Sequence, residues 1–282
     1  MHAPLIAIVT GANRGIGHAI CAALVRDFKG PLIVYTTSRT GAVIDWTGTS
    51  IPPTVQIRPA QLCLTDQDSI AALRTRISSE HGGCDLLINN AGILYFREDI
   101  TAEQRKETLD VNYRGTLNVC QAFLPIMRKG GRIVNISSQT GLLENFHPRL
   151  QARFLTPDLT LRELDALIDE YSSADQKTAT MSGWPPLAYK VSKAALNAGT
   201  RILARDNPNL LINSCCPGWV STTLGMQAGQ PPKSVDTLLT MAIEEGAKIP
   251  LRLAVGDIGQ VSGRYWADDS VADKGNGKVQ GW

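Results

Sequence analysis

Tyr189 and Lys193 stand four residues apart in the stretch Tyr189-Lys190-Val191-Ser192-Lys193. On a helix that spacing puts both side chains on one face. A phenol with its ordinary pKa near ~10 is a poor proton donor or acceptor at neutral pH. A fixed ammonium beside it favours the phenolate. At ~5 Å and an effective dielectric of ~20 the attraction is roughly 3 kcal/mol, or about two pKa units. That would bring the phenol toward the range useful for general acid–base work. The same pair also suits an ordinary amphipathic surface turn, so its meaning depends on the elements around it.

Those elements begin with Leu5-Ile6-Ala7-Ile8-Val9, a continuous apolar run expected of a parallel strand buried on both faces. It leads into Thr10-Gly11-Ala12-Asn13-Arg14-Gly15-Ile16-Gly17 and then a helix with Ile16, Ile20, Ala23 and Leu24 on its inner face. Strand, glycine turn and helix form a cradle for a dinucleotide pyrophosphate, because the backbone can approach the phosphates and the helix N-terminus offers N–H donors. The spacing is G-x-x-x-G-x-G rather than G-x-G-x-x-G. Residues 31–35 form the second strand, ending in Thr36-Thr37-Ser38-Arg39. An acidic residue here would hold a ribose 2′-hydroxyl. The chain has Arg39 instead, with Arg14 in the glycine turn. Two guanidinium groups suit a 2′-phosphate and point to NADP(H).

The alternation continues. Residues 40–53 read as a loop, and a third strand runs from Val55 to about Leu62. Thr65 is the expected N-cap of a helix to about Glu80, with Asp66 and Asp68 in its first turn. Residues 84–88 are a fourth strand ending in Asn89-Asn90-Ala91-Gly92. Thr101-Ala102-Glu103-Gln104 is a capping box opening one long helix that holds Asn112 and runs to about Met127. A fifth strand, 132–136, leads to Ser137-Ser138. Residues 142–186 break the pattern with a second capping box, Thr160 to Glu163, and an apolar helical face of Leu161, Leu164, Leu167, Ile168 and Tyr171. They read as a helical insertion, too short for a core of its own. Tyr189 opens a helix to about Arg205. A sixth strand spans 210–215, a turn spans 217–222, Ser234 caps a helix through about Ala247, and 264–266 form a last short strand before a polar tail. The expected fold is α/β, a single Rossmann-type doubly wound parallel sheet occupying one domain over 1–282.

Bulk properties narrow the partners. With 43% apolar and 19% charged residues the chain can fill a sizeable core, and a net charge of +2 suggests neither nucleic acid nor an anionic membrane. No apolar run approaches the ~18 residues of a membrane span, and the N-terminus lacks the pattern of a secretory signal. The six cysteines form no C-x-x-C pair and suit buried positions in a reducing, cytoplasmic setting. The four histidines lack metal-ligand spacing.

Taken in order, Thr10–Gly17, Asn89–Gly92, Asn112, Ser138, Tyr189–Lys193 and Pro217-Gly218 resemble the short-chain dehydrogenase/reductase family over essentially the whole chain. The long segment between Ser138 and Tyr189, Gly183-Trp184-Pro185 before the Tyr, Cys215–Val220 and Trp282 are similar to its monomeric NADPH-dependent carbonyl reductases. The resemblance implies that Tyr189 donates a proton to a ketone or aldehyde oxygen as hydride arrives, and that Ser138 hydrogen-bonds the same oxygen. Lys193 would hold the nicotinamide ribose and lower the Tyr189 pKa, and Asn112 would anchor a water for proton resupply. Gly11, Asn13, Arg14, Gly15 and Ile16 would wrap the phosphates, and Arg39 would face the 2′-phosphate. Leu62, Cys63, Asn90, Ala91 and Gly92 would lie along the adenosine, and Pro217, Gly218, Val220 and Thr222 against the nicotinamide. Where many members carry an Asp toward the adenine amino group, this chain has Cys63, a weaker partner.

Other family members commonly dimerise through the helix that carries the Tyr and its long neighbour. An insertion packed there implies a monomer. Gln139, Thr140 and Trp219 are expected walls of a small-molecule pocket, with the loops around 142–186 and 223–233 shaping its entrance. A pathway-specific NADP-dependent alcohol dehydrogenase or ketoreductase is the alternative enzyme. A nucleotide-binding regulator without chemistry would lack one of the four catalytic groups, and all four are present.

Overall fold

Alternation along β1 (Leu5–Val9) sets the architecture: Ile6 and Ile8 enter one apolar core, Ala7 and Val9 the other. Successive strand residues face opposite sides, so both sides of the sheet must be covered. The computed structural model describes residues 3–95, 100–220, 222, 224, 242–271 and 273–282. Their eight-stranded sheet has the order β3-β2-β1-β4-β5-β6-β7-β8. β2 (Leu32–Ser38), β3 (Val55–Gln61), β4 (Cys84–Asn89), β5 (Met127–Ile136), β6 (Leu211–Cys215) and β7 (Tyr265–Ala267) all pair in parallel. The strand order reverses between β1 and β4. At such a switch point the carboxyl ends of the strands leave a crevice for a ligand.

One face of the sheet is covered by α1 (Gly15–Asp27) and the helix Lys248–Val255. The other carries α2 (Gln67–His81), α4 (Thr116–Phe123) and α8 (Ala188–Asp206). The expected doubly wound Rossmann-type sheet is what the structure shows, parallel except for its last strand.

Four local expectations are corrected. The N-cap of α2 is Asp66, not Thr65: its carboxylate accepts from the amides of Asp68 (3.0 Å) and Ser69 (3.1 Å). A carboxylate satisfies two free N–H groups and also meets the positive helix end. The helix from Thr101 keeps its capping box but is not continuous. It is α3 (Ala102–Leu109), a π-turn (Asp110–Gly115), α4, and a 3-10 turn (Leu124–Ile126) at Pro125. β5 therefore begins at Met127, and its register shifts near Gly130 and Gly131, between the pairs Cys84–Met127 and Leu86–Arg132. The tail also holds a strand, β8 (Lys278–Gln280), antiparallel to β7. Ser234 and its helix start lie outside the described residues.

The 142–186 segment folds as α5 (Pro148–Leu155), α6 (Leu161–Ser173) and α7 (Gln176–Met181). Phe146, Phe154, Tyr171 and Trp184 pack ring against ring at centroid distances of 5.2–6.2 Å. These residues share a core cluster with α8. Polar ties fix the docking. From α8, Arg201 donates to the carbonyls of Phe154, Leu155 and Thr156, and Arg205 to those of Pro157 and Leu159. From α3, buried Arg105 donates to the carbonyls of Tyr171 and Ala174 and to Gln176, with its guanidinium 5.1 Å from the Tyr171 ring centroid.

Candidate active site

The glycine turn is built by what its residues lack. Gly11 (φ +62°) and Gly15 (φ +56°) occupy the left-handed region, which side chains disfavour. At Gly17 a Cβ would lie 2.4 Å from the Gly11 carbonyl oxygen and 2.5 Å from Asn90 Nδ2. At Gly11 it would press on Ala91 Cα at 3.0 Å. The turn thus rests directly on the loop after β4. Asn90 Nδ2 donates to the carbonyls of Thr10 and Gly11 (3.0 and 3.1 Å), and Thr10 Oγ1 accepts from the amides of Asn90 and Ala91 (3.0 Å each). Asn90, expected beside the ribose, therefore turns its amide nitrogen to the phosphate loop.

Around this cradle, Asn13, Arg14 and Arg39 are exposed, and Ile16 is half-buried. Among the described residues neither guanidinium makes a hydrogen bond or ion pair. The buried hydroxyls of Thr36 and Ser38, at the carboxyl end of β2 beside Arg39, also lack a partner among the described residues. Thr222 Cγ2 would be 3.2 Å from a Cβ on Gly15, which sets the turn after β6 against the cradle. Free donors, two free cations and a close-fitting backbone fit a dinucleotide with a 2′-phosphate. Leu62 is buried. Cys63 is half-buried, with its amide donating to Ser69 Oγ (3.0 Å) and its thiol 3.5 Å from Thr65 Oγ1.

The second half is built from side chains. α8 starts with Ala188 at its first turn, so Tyr189 and Lys193 lie one above the other, with Lys193 Nζ 5.4 Å from the Tyr189 ring centroid. Lys193 is buried and donates to the Ile136 carbonyl (2.7 Å). Ser138 caps the short turn Gln139–Gly141, and its Oγ accepts from Thr140 N (3.2 Å) and Thr140 Oγ1 (3.0 Å). That turn sits on α8: a Cβ on Gly141 would be 2.8 Å from the Lys193 carbonyl carbon and from Ala194 N. The contact brings Ser138 into hydrogen-bond reach of the Tyr189 phenol.

Asn112 sits in the π-turn. Its Oδ1 accepts from Ile93 N (2.8 Å), and its Nδ2 donates to the Ile93 carbonyl (2.8 Å) and Ser192 Oγ (3.2 Å). A Cβ on Gly92 would lie 3.0 Å from Asn112 Oδ1 and 3.9 Å from Lys193 Nζ, so the three residues meet at one point.

Burial decides the ionisation here. It pushes the Tyr189 phenol up, with a hydrogen bond from Ser138 as a smaller opposing influence. It pulls Lys193 down to about 8. The expectation that Lys193 lowers the Tyr189 pKa is therefore corrected for this state. Lys193 donates a hydrogen bond to the Ile136 carbonyl, and loss of water around both groups favours both neutral forms.

Pro217 and Val220 are buried, and Gly218 takes φ +80°. Trp219 is half-buried and its amide donates to the Val271 carbonyl (2.8 Å). Gln139, expected as a pocket wall, instead turns its amide nitrogen to the Asp268 carbonyl (2.9 Å). Sequence reasoning missed Thr10, Ser192 and the Ile136 carbonyl as partners of the site. Thr10 and Ser192 lie inside the motifs already singled out; a backbone carbonyl leaves no mark in the sequence.

Residues 5–149 match the family model described as short chain dehydrogenase. Carbonyl reductase (NADPH) 3 of Mus musculus is 38% identical over 89% of this chain and 90% of its own. The chain belongs to the short-chain dehydrogenase family. Carbonyl reductase (NADPH) 1 of Homo sapiens is 36% identical with the same coverage. Among solved structures, salutaridine reductase from Papaver somniferum superposes with a TM-score of 0.77 at 27% identity, covering 93% of this chain and 99% of that one. NADPH-bound carbonyl reductase from chicken fatty liver gives 0.68 at 25% identity, with 100% of both chains covered.

Proposed function

We propose that this short-chain dehydrogenase reduces a ketone or aldehyde carbonyl to an alcohol, with NADPH as hydride donor. The observation that carries the reading is the gathering of Ser138, Tyr189, Lys193 and Asn112 around the start of α8 and the loop after β4, in a chain whose relatives, matched over 89% of it, are named as NADPH carbonyl reductases. Bound NADPH supplies the hydride to the carbonyl carbon. The chain's own groups manage the proton. Half-buried Tyr189, its pKa raised by loss of water around it, keeps its phenol protonated at neutral pH and gives that proton to the substrate oxygen as charge develops there. Ser138 donates a hydrogen bond to the same oxygen, as an oxyanion donor does. Lys193 then faces the phenolate left behind. At ~5 Å and a dielectric of ~20 that attraction is roughly 3 kcal/mol, available only once charge has formed. Asn112 pins Ile93 and thereby the loop that borders Lys193. Arg14 and Arg39 are the groups for the 2′-phosphate.

A second reading has its own support. Salutaridine reductase and the menthone neomenthol reductase from Mentha piperita, each named for particular compounds, superpose with TM-scores of 0.77 and 0.72. A ketoreductase with one preferred substrate fits the same site. NADPH consumption against aromatic and aliphatic ketones, aldehydes and quinones, with NADH in parallel, separates the two. Broad turnover with NADPH supports the general reductase. Tight NADPH binding with turnover of only one carbonyl supports the narrow enzyme. No NADPH binding refutes both.

We also read the chain as one cytoplasmic domain that works as a monomer. No helix among the described residues is long and apolar enough to cross a membrane. The insertion is tied to α3, the π-turn and α8, where Tyr113 donates to Asp165 (2.8 Å) and Arg114 to Asp169 (2.6 Å). A dimer mass by light scattering at micromolar concentration would overturn the monomer.

A further inference from the structure

Ser138 serves the reaction only if its hydroxyl is aimed, and the turn that aims it is short. Gln139–Gly141 is a single 3-10 turn, closed by Gly141 N on the Ser138 carbonyl (3.1 Å) and Leu142 N on the Gln139 carbonyl (3.2 Å). Such turns have poorer hydrogen-bond geometry than an α-helix and hold their shape weakly. Ser138 Oγ accepts from Thr140 N and Thr140 Oγ1, which leaves its own proton to donate outward. The direction of that proton therefore follows the turn as a body.

The turn is braced from two sides. Gly141 seats it on α8, where a Cβ would meet the Lys193 carbonyl carbon and Ala194 N at 2.8 Å. The other brace is half-buried Gln139, whose Nε2 donates to the Asp268 carbonyl (2.9 Å). β5, β6 and β7 run parallel, with Ile136 beside Cys215 and Cys215 beside Trp266. Ser138 and Asp268 each lie two residues past that row, so both leave the sheet at its carboxyl edge. The Asp268 carbonyl is itself held. It also accepts from Gln280 Nε2 (2.8 Å), and the Asp268 carboxylate accepts from Gly275 N (2.8 Å) and Gly277 N (2.9 Å), which folds the chain beyond β7 back on Asp268. The Val271 carbonyl accepts from Trp219 N (2.8 Å) and ties the same stretch to the turn after β6. A backbone acceptor held in this way is a fixed post for the Gln139 side chain.

We propose that Gln139 is a positioning residue that holds Ser138 at its working angle by way of the Asp268 carbonyl, and that the Asp268 carboxylate sets that carbonyl in place. Both act through Ser138 rather than on the substrate. A displacement of about 1 Å at an oxyanion donor can cost on the order of 10²-fold in rate, so a side-chain amide beside the donor has leverage on the chemical step. This inference deepens the reductase reading and rests on it.

The test follows hydride transfer from NADPH to benzaldehyde in single turnovers of the full chain. Gln139→Met, which keeps the length of the side chain and loses the donor, is expected to slow the step about five- to fiftyfold, with NADPH affinity within about twofold. Gln139→Lys, which returns a donor of similar reach, should recover part of the loss. Asp268→Ala should slow the step in the same direction and add little to Gln139→Met. In a Ser138→Ala background, Gln139→Met should add less than about twofold. An unchanged rate in Gln139→Met overturns the proposal. So does the same fold loss with or without Ser138, or a loss matched by weaker NADPH binding and a lower melting temperature, since those mark general loosening. A second arm needs no turnover. The amides of Thr140 and Gly141, bonded to the Ser138 hydroxyl and carbonyl, should exchange with deuterated water about three- to tenfold faster in Gln139→Met, while those of α8 keep their rate. Equal exchange in both proteins overturns the brace. If the unaltered chain binds NADPH and leaves benzaldehyde unreduced, the reductase reading fails for this carbonyl, and the exchange comparison decides the brace.

Discussion

The two halves of the site are made of opposite materials. The cradle after β1 consists of backbone, with glycines where a side chain would collide and charged side chains free on the outside. The face formed by β5, the π-turn and α8 consists of buried or half-buried polar side chains, each placed by a local partner: buried Lys193 by the Ile136 carbonyl, buried Asn112 by Ile93, half-buried Ser138 by the turn it caps. The first half recognises a shape and charge that do not change during reaction. The second must meet charge that appears only at the transition state, so its groups are taken from water and aimed in advance. A substitution should therefore act on binding in one half and on the chemical step in the other.

The sharpest way to break that contrast is Tyr189→Phe. Loss of the proton donor should lower kcat by at least about 10³-fold, with NADPH affinity by fluorescence titration within about twofold. Retained turnover would end the division of labour. Gly17→Ala tests the other half. The new methyl meets backbone at 2.4 Å, so the turn must shift, at a cost of about 1–3 kcal/mol in thermal unfolding and with loss of NADPH affinity. A variant that binds normally would show the cradle to be looser than it looks.

Arg39→Asp should weaken NADPH by about ten- to hundredfold while leaving NADH nearly unchanged, as expected for one charge-assisted contact. An unaltered preference removes Arg39 from the 2′-phosphate site. The gentlest probe is pH. Burial lowers Lys193 to about 8, below its ordinary value, so its positive charge is lost as pH rises through about 8. With it goes the attraction for the developing phenolate. kcat/KM for reduction measured at saturating NADPH should therefore fall above about pH 8, and a flat profile to pH 10 contradicts the role. The same burial disfavours the folded state while the unfolded lysine binds more protons. On this group alone, stability rises from about pH 8 toward the ordinary lysine range near ~10.4.

The strands were legible because an apolar run buried on both faces can hardly be anything else, and the glycine turn because missing side chains leave a pattern. The order of Ser138, Tyr189 and Lys193 was legible as a family resemblance. What escaped was decided by tertiary partners. The π-turn goes with tertiary contacts that no local pattern announces: Asn112 bonds Ile93, and Gly115 passes Leu64, where a Cβ would lie 2.7 Å from the carbonyl oxygen. Asp66 won the cap from Thr65 through geometry that neither residue type dictates. Gln139 looked like a pocket wall because it follows Ser138, yet its partner, Asp268, is 129 positions away. The ionisation of Tyr189 and Lys193 was misjudged because spacing reveals a neighbour but not the loss of water around both.

The π-turn also amounts to a one-residue surplus in the length of a helix. An extra residue within a single turn rotates everything after it by about 100° relative to a regular helix. Upstream of the surplus, Arg105 grips the insertion; within it, Asn112 faces Lys193; downstream, Phe123 and Cys120 seal the core. Removing one residue from 110–115 would let the chain form a straighter and locally more regular helix. It would also turn either the insertion's anchor or the core face out of alignment, so the irregular helix is what lets one element serve three surroundings at once.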